Sequence, residues 1–162
     1  MTDSGTIHFG TGGWREIIGD GFTRANVRRI TQALCDRMAA EGVDESGVVV
    51  GHDRRFLSLE ASRWVVEVLL GNGIPVTLIE RPAPTPMFMW TVRNLGCAYG
   101  LAVTASHNPA LYNGIKVFTE GGRDAEVAVT DAIAARANAL GEADIVAVAP
   151  EAVALRDHEV GD

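Results

Sequence analysis

Apolar residues at Val27, Ile30, Leu34 and Met38 recur at helical spacing. They predict a helix that opens near Thr23 and stops at Gly42. Thr23 suits the N-cap, with Phe22 before it and Val27 beyond it as a hydrophobic staple. Val48, Val49 and Val50, between Gly47 and Gly51, form a continuous β-branched run, as expected of a strand buried on both faces. A second helix is predicted from Ser58 through Trp64, Val65, Val68 and Leu69 to Gly71-Asn72-Gly73, followed by a strand over residues 75–79. Thr85-Pro86 predicts a cap and a proline in the first helical position, opening a helix to about Asn94. Residues 98–103 read as a third strand, Asn113-Gly114 as a turn and residues 115–118 as a fourth strand. An alanine-rich helix closes the pattern over residues 126–140.

This alternation predicts an α/β fold, a three-layer α/β/α domain with a mixed, mostly parallel four-stranded sheet. Residues 115–118 follow the third strand too closely for a crossover helix, so they are expected to pair antiparallel to it. Residues 1–140 make the predicted domain. Residues 141–162, with a short apolar piece at 145–149 and an acidic end, read as a connector toward a missing second domain.

At 162 residues and 47% hydrophobic, the chain is long and apolar enough for one domain with its own core. Its central apolar run, residues 65–70, is broken by Glu67 and is far shorter than a membrane span. The start MTDSGTIHFG carries no basic segment ahead of an apolar block. A cytoplasmic protein with no membrane partner is therefore expected. Cys35 and Cys97, the only two cysteines, read as reduced buried thiols. The net charge of −7 argues against a nucleic-acid partner, which requires an extended basic face. The cations are thirteen arginines and one lysine, Lys116.

Three loops lie near the start of the chain or leave the carboxyl ends of predicted strands, where open α/β sheets bind ligands. They are Phe9-Gly10-Thr11-Gly12-Gly13-Trp14-Arg15, Gly51-His52-Asp53-Arg54-Arg55, and residues 104–113, which begin Thr104-Ala105-Ser106-His107-Asn108-Pro109. The glycines of the first let a backbone approach an anion, and Arg15 offers a charged fork. Ser106 beside His107 suggests a hydrolase, yet adjacent residues rarely align a ring on the neighbouring hydroxyl, and no G-x-S-x-G elbow is present. His107 reads instead as a donor to an anion or a loop-locking residue. For Ser106, local chemistry leaves two readings open: a hydroxyl capping a turn before Asn108-Pro109, or a functional serine.

FGTGGWR, GHDRR and TASHNPALYNGIKVF, in that order, resemble the N-terminal α/β/α domain I of the α-D-phosphohexomutases, the phosphoglucomutase and phosphomannomutase family. The likeness extends over residues 7–140. It implies a phosphoserine at Ser106 that gives its phosphoryl group to a hexose phosphate and recovers one from a bisphosphorylated intermediate. Transfer would thus link the 1 and 6 positions of the sugar. It also implies charge stabilisation and proton transfer by Arg15 and Lys116, and phosphate or sugar binding by His107, Asn108, Gly12 and Gly13. Asp53 and Arg55 match a pattern whose implied role is to brace the loop. Mg2+ in the complete enzyme is implied, with a phosphate oxygen on Ser106 as its one ligand from this chain. A hexose 1,6-bisphosphate activator and further C-terminal domains are implied as well. No D-x-D-x-D metal loop is found here, so the chain on its own is expected to be inactive. Two departures stand out: the first loop reads GTGGWR where GTSGxR is usual, and His52 replaces the usual arginine. A free-standing module that binds sugar phosphates or docks a protein is the alternative.

Overall fold

The computed structural model describes residues 5–157. β1 (Trp14–Ile17) leads to α1 (Arg24–Glu41), β2 (Val48–His52), α2 (Ser58–Gly71), β3 (Val76–Leu78) and α3 (Thr85–Leu95). There follow β4 (Tyr99–Val103), β5 (Tyr112–Thr119), β6 (Arg123–Asp124), α4 (Val127–Ala139) and α5 (Pro150–Asp157). Thr23 caps α1 by accepting a hydrogen bond from the Asn26 amide at 3.2 Å, and Gly42 ends the helix in the left-handed region. Thr85 is the first residue of α3 and makes no capping bond; Pro84 flanks the helix, and Pro86 stands in its second position.

The sheet runs in the order β1-β5-β4-β2-β3, with β6 also paired to β5. The four expected strands, β5-β4-β2-β3, contain two parallel pairs and one antiparallel pair. The expectation of only four strands is corrected to six, because β1 and β6 pair antiparallel to the outer edge of β5. Two features hid them. β6 is two residues long, and β1 follows directly on a glycine-rich stretch that reads as loop. Asn113 and Gly114 are likewise inside β5 and not in a turn. Gly114 faces Arg15 across the ladder; a Cβ there would overlap the Trp14 carbonyl oxygen, so only glycine lets β1 come this close.

Alternate strand residues serve two separate cores. Val48, Val50, Leu101, Val103, Ile115 and Val117 pack beneath α1, α2 and α4, where Ile30, Leu34, Val65, Leu69 and Ile133 complete the larger core. Val49, Ala102 and Phe118 face Phe88 and Val92 of α3 in the smaller one. After α4 the chain turns back onto α2. The Val148 amide donates to the Glu67 carbonyl at 3.0 Å, Asn72 Nδ2 donates to the Val146 carbonyl at 3.1 Å, and Val153 is buried. Residues 158–162, the acidic end of the predicted connector, lie outside the described residues.

Among the described residues no helix is long and apolar enough to cross a membrane. Both cysteines are free and buried. Burial, reinforced by the Asp36 charge, pushes the Cys35 thiol up to about 12, and burial also raises Cys97. Neither is suited to act as a thiolate nucleophile.

Candidate functional site

β2 and β4 are parallel neighbours that end side by side, His52 opposite Val103, with the Asp53 amide donating to the Val103 carbonyl at 3.1 Å. Their outgoing loops therefore leave the same edge of the sheet. β5 runs antiparallel to β4 and starts at that edge, and β1 brings Arg15 opposite Gly114 beside it. The Thr104 amide donates to the Gly114 carbonyl at 3.0 Å. The second and third loops thus meet at one end of the sheet, while the first leads into β1 along the edge of β5, its Gly13 against Ile115 and Lys116.

Asp53 organises the junction. Its Oδ1 accepts from Ser58 Oγ at 2.8 Å and from the Arg55 amide at 2.9 Å. Its Oδ2 accepts from Thr104 Oγ1 at 2.7 Å and lies 3.3 Å from Arg55 Nε. The rest of the Arg55 guanidinium points into the serine loop and holds four carbonyl oxygens. Nη2 donates to those of Ser106 and Asn108 at 2.9 and 2.7 Å; Nη1 donates to those of Pro109 and Tyr112 at 2.8 and 3.1 Å. A planar fork with five donors suits this task; a lysine point charge does not. Asn113, fully buried, ties the far side of the loop to α2. Its Nδ2 donates to Ser58 Oγ and to the Phe56 carbonyl, while its Oδ1 accepts from the Gly114 amide.

Ser106 stands exposed on this braced loop with φ +55, one of two non-glycine residues at positive φ among those described. Its amide donates to Thr104 Oγ1 at 3.0 Å, and the Asn108 amide closes the turn onto the Ala105 carbonyl. Left-handed backbone costs an ordinary residue about 1–2 kcal/mol, and such strain gathers at sites that must project a side chain. His107 Nδ1 is 3.5 Å from Ser106 Oγ, at the outer limit of a hydrogen bond. That is a weak platform for a general base. His52, buried to 2% exposure, sets its ring nitrogens 2.9 Å from the Asp53 carbonyl and 2.8 Å from the Glu80 carbonyl. Both nitrogens are engaged by backbone, so His52 ties strand ends together and leaves neither nitrogen for a ligand.

Ser106→Gly separates the two readings of this serine. Glycine keeps the amide bond to Thr104 and removes the left-handed strain, at the cost of a more flexible unfolded chain. Stability in urea should hold or rise by up to about 1 kcal/mol. A loss of more than about 1 kcal/mol would mark the hydroxyl as structural.

Arg15 and Lys116 project from the same face of β1 and β5, since cross-strand partners share a face and Arg15 pairs with Gly114, two residues from Lys116. Among the described residues the Arg15 guanidinium makes no hydrogen bond or ion pair, and Nη2 would lie 3.8 Å from a Cβ at Gly12. Gly12 and Gly13 have φ +80 and +150, and a Cβ on Gly13 would sit 2.9 Å from the Ile115 carbonyl oxygen. This segment thus presses against β5 as bare backbone. Lys116 is already committed: Nζ is 2.9 Å from Asp124 Oδ1 and 5.7 Å from the centre of the Phe118 ring. The structure gathers Ser106, His107 and Asn108 on one loop; Arg15 lies opposite Gly114 and Gly13 against Ile115 and Lys116 on the neighbouring strand edge, and the Lys116 ammonium leans toward the other end of β5.

Thr104, Ser58, Asn113 and Asp124 were not recognised as site residues from sequence. The signal for the first three was a set of short hydroxyl and amide side chains at strand ends and a helix start, where backbone groups need partners. Asp124 carried no signal, because only the β5–β6 register places it against Lys116. Chemically, the arrangement presents a hydroxyl on a braced loop, with an uncommitted arginine on β1 and a lysine on β5 held by a carboxylate. It suits an anionic group carried on, or arriving at, that hydroxyl.

A family model described as phosphoglucomutase/phosphomannomutase, alpha/beta/alpha domain I, matches residues 6–144. A phosphoglucomutase from Staphylococcus saprophyticus is 39% identical over 121 residues, covering 73% of this chain and 22% of its own length. A probable phosphoribomutase from Schizosaccharomyces pombe is 38% identical over 121 residues, covering 72% and 21%. The human phosphopentomutase is 33% identical over 127 residues, with the same two coverages of 72% and 21%. The crystal structure of a putative phosphomannomutase from Thermus thermophilus superposes with a TM-score of 0.79 at 35% identity, over 89% of this chain and 32% of that one. The chain spans about a fifth of the length of these curated relatives.

Proposed function

Since the chain belongs to the phosphoglucomutase and phosphomannomutase family, as its domain I, we propose that it is the phosphoryl-carrying domain of a longer sugar-phosphate mutase, with Ser106 as the carrier. The observation that supports this most is the exposed, left-handed Ser106 on a loop whose carbonyls are pinned by Arg55, with no competent base beside it. Such a loop presents a hydroxyl rigidly without activating it for hydrolysis.

In the proposed step the hydroxyl oxygen of a sugar monophosphate attacks phosphorus on phosphoserine 106. The P–Oγ bond breaks, a P–O bond to the sugar forms, and a bisphosphorylated sugar results. Lys116 carries the proton from the attacking hydroxyl toward the departing Ser106 oxygen, which ends as a hydroxyl. After the bisphosphate turns over, Ser106 takes the other phosphoryl group by the reverse exchange. Arg15 balances charge on the transferring group, where positioning and electrostatics supply most of the rate. His107, Asn108, Gly12 and Gly13 line the approach.

Mg2+ is part of the proposal for the complete enzyme, as is a hexose 1,6-bisphosphate activator. The residues here fit only a fraction of a magnesium site. Among those described, no three His, Cys, Asp or Glu side chains gather to hold a metal. A phosphate on Ser106 would offer one oxygen to an ion that takes six ligands. The remaining ligands, the sugar-selecting groups and the grip on the distal phosphate are assigned to the further domains. Relatives named for glucose and for pentose phosphates make both sugar classes candidates, and a cytoplasmic setting agrees with two free thiols.

The test is a coupled mutase assay. The 162-residue chain alone should give no turnover on hexose phosphates, and mixing it with the rest of the parent polypeptide should restore measurable rate. Robust turnover by the chain alone would overturn the division of labour, and so would a mixture that stays inactive while the intact parent works.

A further inference from the structure

We propose that Asp124 is the positioning residue that parks the Lys116 ammonium away from the Ser106 loop, and that a phosphoryl group on Ser106 takes the ammonium over. This rests on the reading that Ser106 carries phosphate.

The outer edge of β5 is shared. β1 pairs with residues 112–115 and β6 with residues 118–119, so Lys116 projects from the gap between two short strands. Gly114, two residues toward the start of β5, is where the Ser106 loop is tied down, through the Thr104 amide. Phe118, two residues the other way on the same face, pairs in register with Asp124. The ammonium lies 2.9 Å from Asp124 Oδ1 and above the Phe118 ring. Both grips therefore hold it toward the half of β5 remote from Ser106.

The hold is built to be exchanged. The Asp124 side chain is 56% exposed and that of Lys116 23%, and an ion pair screened by solvent is weak. Lysine is a point charge on a flexible four-carbon stem, able to swing without moving its strand. A serine phosphate carries nearly twice the charge of a carboxylate and three acceptor oxygens, so it outcompetes Asp124 once it stands at the loop. No covalent bond changes in this exchange. Asp124 keeps the lysine ordered on its own face of the sheet until the phosphate needs it.

Lys116 is the only lysine of the chain, so a lysine-labelled sample gives one side-chain methylene signal at Cε. The measurement is a carbon–proton spectrum and ring-proton cross-relaxation on the whole chain. One sample carries serine at 106; the other has phosphoserine installed there during translation. With serine, the Hε protons should be shifted upfield by the Phe118 ring and show cross-peaks to it. With phosphoserine, both signatures should be lost. Asp124→Asn should lose the cross-peaks without phosphate while the backbone amide spectrum stays folded, and Asp124→Glu should retain them in part. Hε signals unchanged by phosphoserine, or an Asp124→Asn chain that keeps the wild-type cross-peaks, would overturn the assignment. Because the phosphate is installed synthetically, either result stands whether or not the parent enzyme phosphorylates Ser106.

Discussion

Arg55→Ala should release the Ser106 loop and cost about 3 kcal/mol of stability, and Arg55→Lys should recover little of it. The Arg55 side chain is 14% exposed, and its guanidinium makes four hydrogen bonds to loop carbonyls besides its contact with Asp53. Removing it leaves those carbonyls without their shared donor. It also leaves the Asp53 carboxylate beside only hydroxyls and an amide. Lysine restores charge but reaches one or two of the four carbonyls, having no planar fork. Urea unfolding gives the global cost, and hydrogen exchange at residues 104–112 reports the local release. A loss below about 1 kcal/mol with unchanged exchange at the loop would mean that the backbone turn holds itself.

The second large effect is on chemistry. On the proposed mechanism, Ser106→Ala should lower mutase turnover of the complete parent enzyme by at least about 1,000-fold, because it removes the proposed phosphoryl carrier. His107→Ala should cost far less, since its ring sits at the edge of hydrogen-bonding range of Ser106 Oγ. The ratio of the two losses is informative. A serine hydrolase would lose comparable activity from both changes, as nucleophile and base act as a unit. Steady-state kinetics of the two variants, with folding checked by thermal unfolding, decides the matter.

Much of this architecture was legible because local chemistry and tertiary context agree. The Val27–Ile30–Leu34–Met38 stripe lies buried on α1 between Thr23 and Gly42, and both ends cap as their residue types demand. Val48 to Val50 is a strand covered on both faces, as an unbroken β-branched run requires. β1 was not legible. Trp14 to Ile17 has no alternation, and its pairing depends on a neighbour a hundred residues away at Gly114. Long-range register leaves little trace in a four-residue stretch. The same holds for the site. Ser106, Arg15 and Lys116 came from motif order, and the bracing by Asp53 and Arg55 took form as hydrogen bonds to named carbonyls. The left-handed backbone at Ser106 was hidden, since serine carries no sequence mark for positive φ. Asp124 was hidden as well, since a two-residue strand presents it.

Peptide mapping by mass spectrometry shows whether Ser106 is a phosphoryl carrier. The complete parent protein is incubated with a hexose 1,6-bisphosphate, digested and mapped, and a second portion is chased with excess hexose monophosphate before digestion. One added phosphoryl group is expected, confined to the peptide holding residues 104–109, localised to Ser106, absent from Ser106→Ala and discharged by the chase. A stable phosphoryl group on any other residue of an active enzyme, or full turnover with Ser106 never modified, would contradict the carrier role.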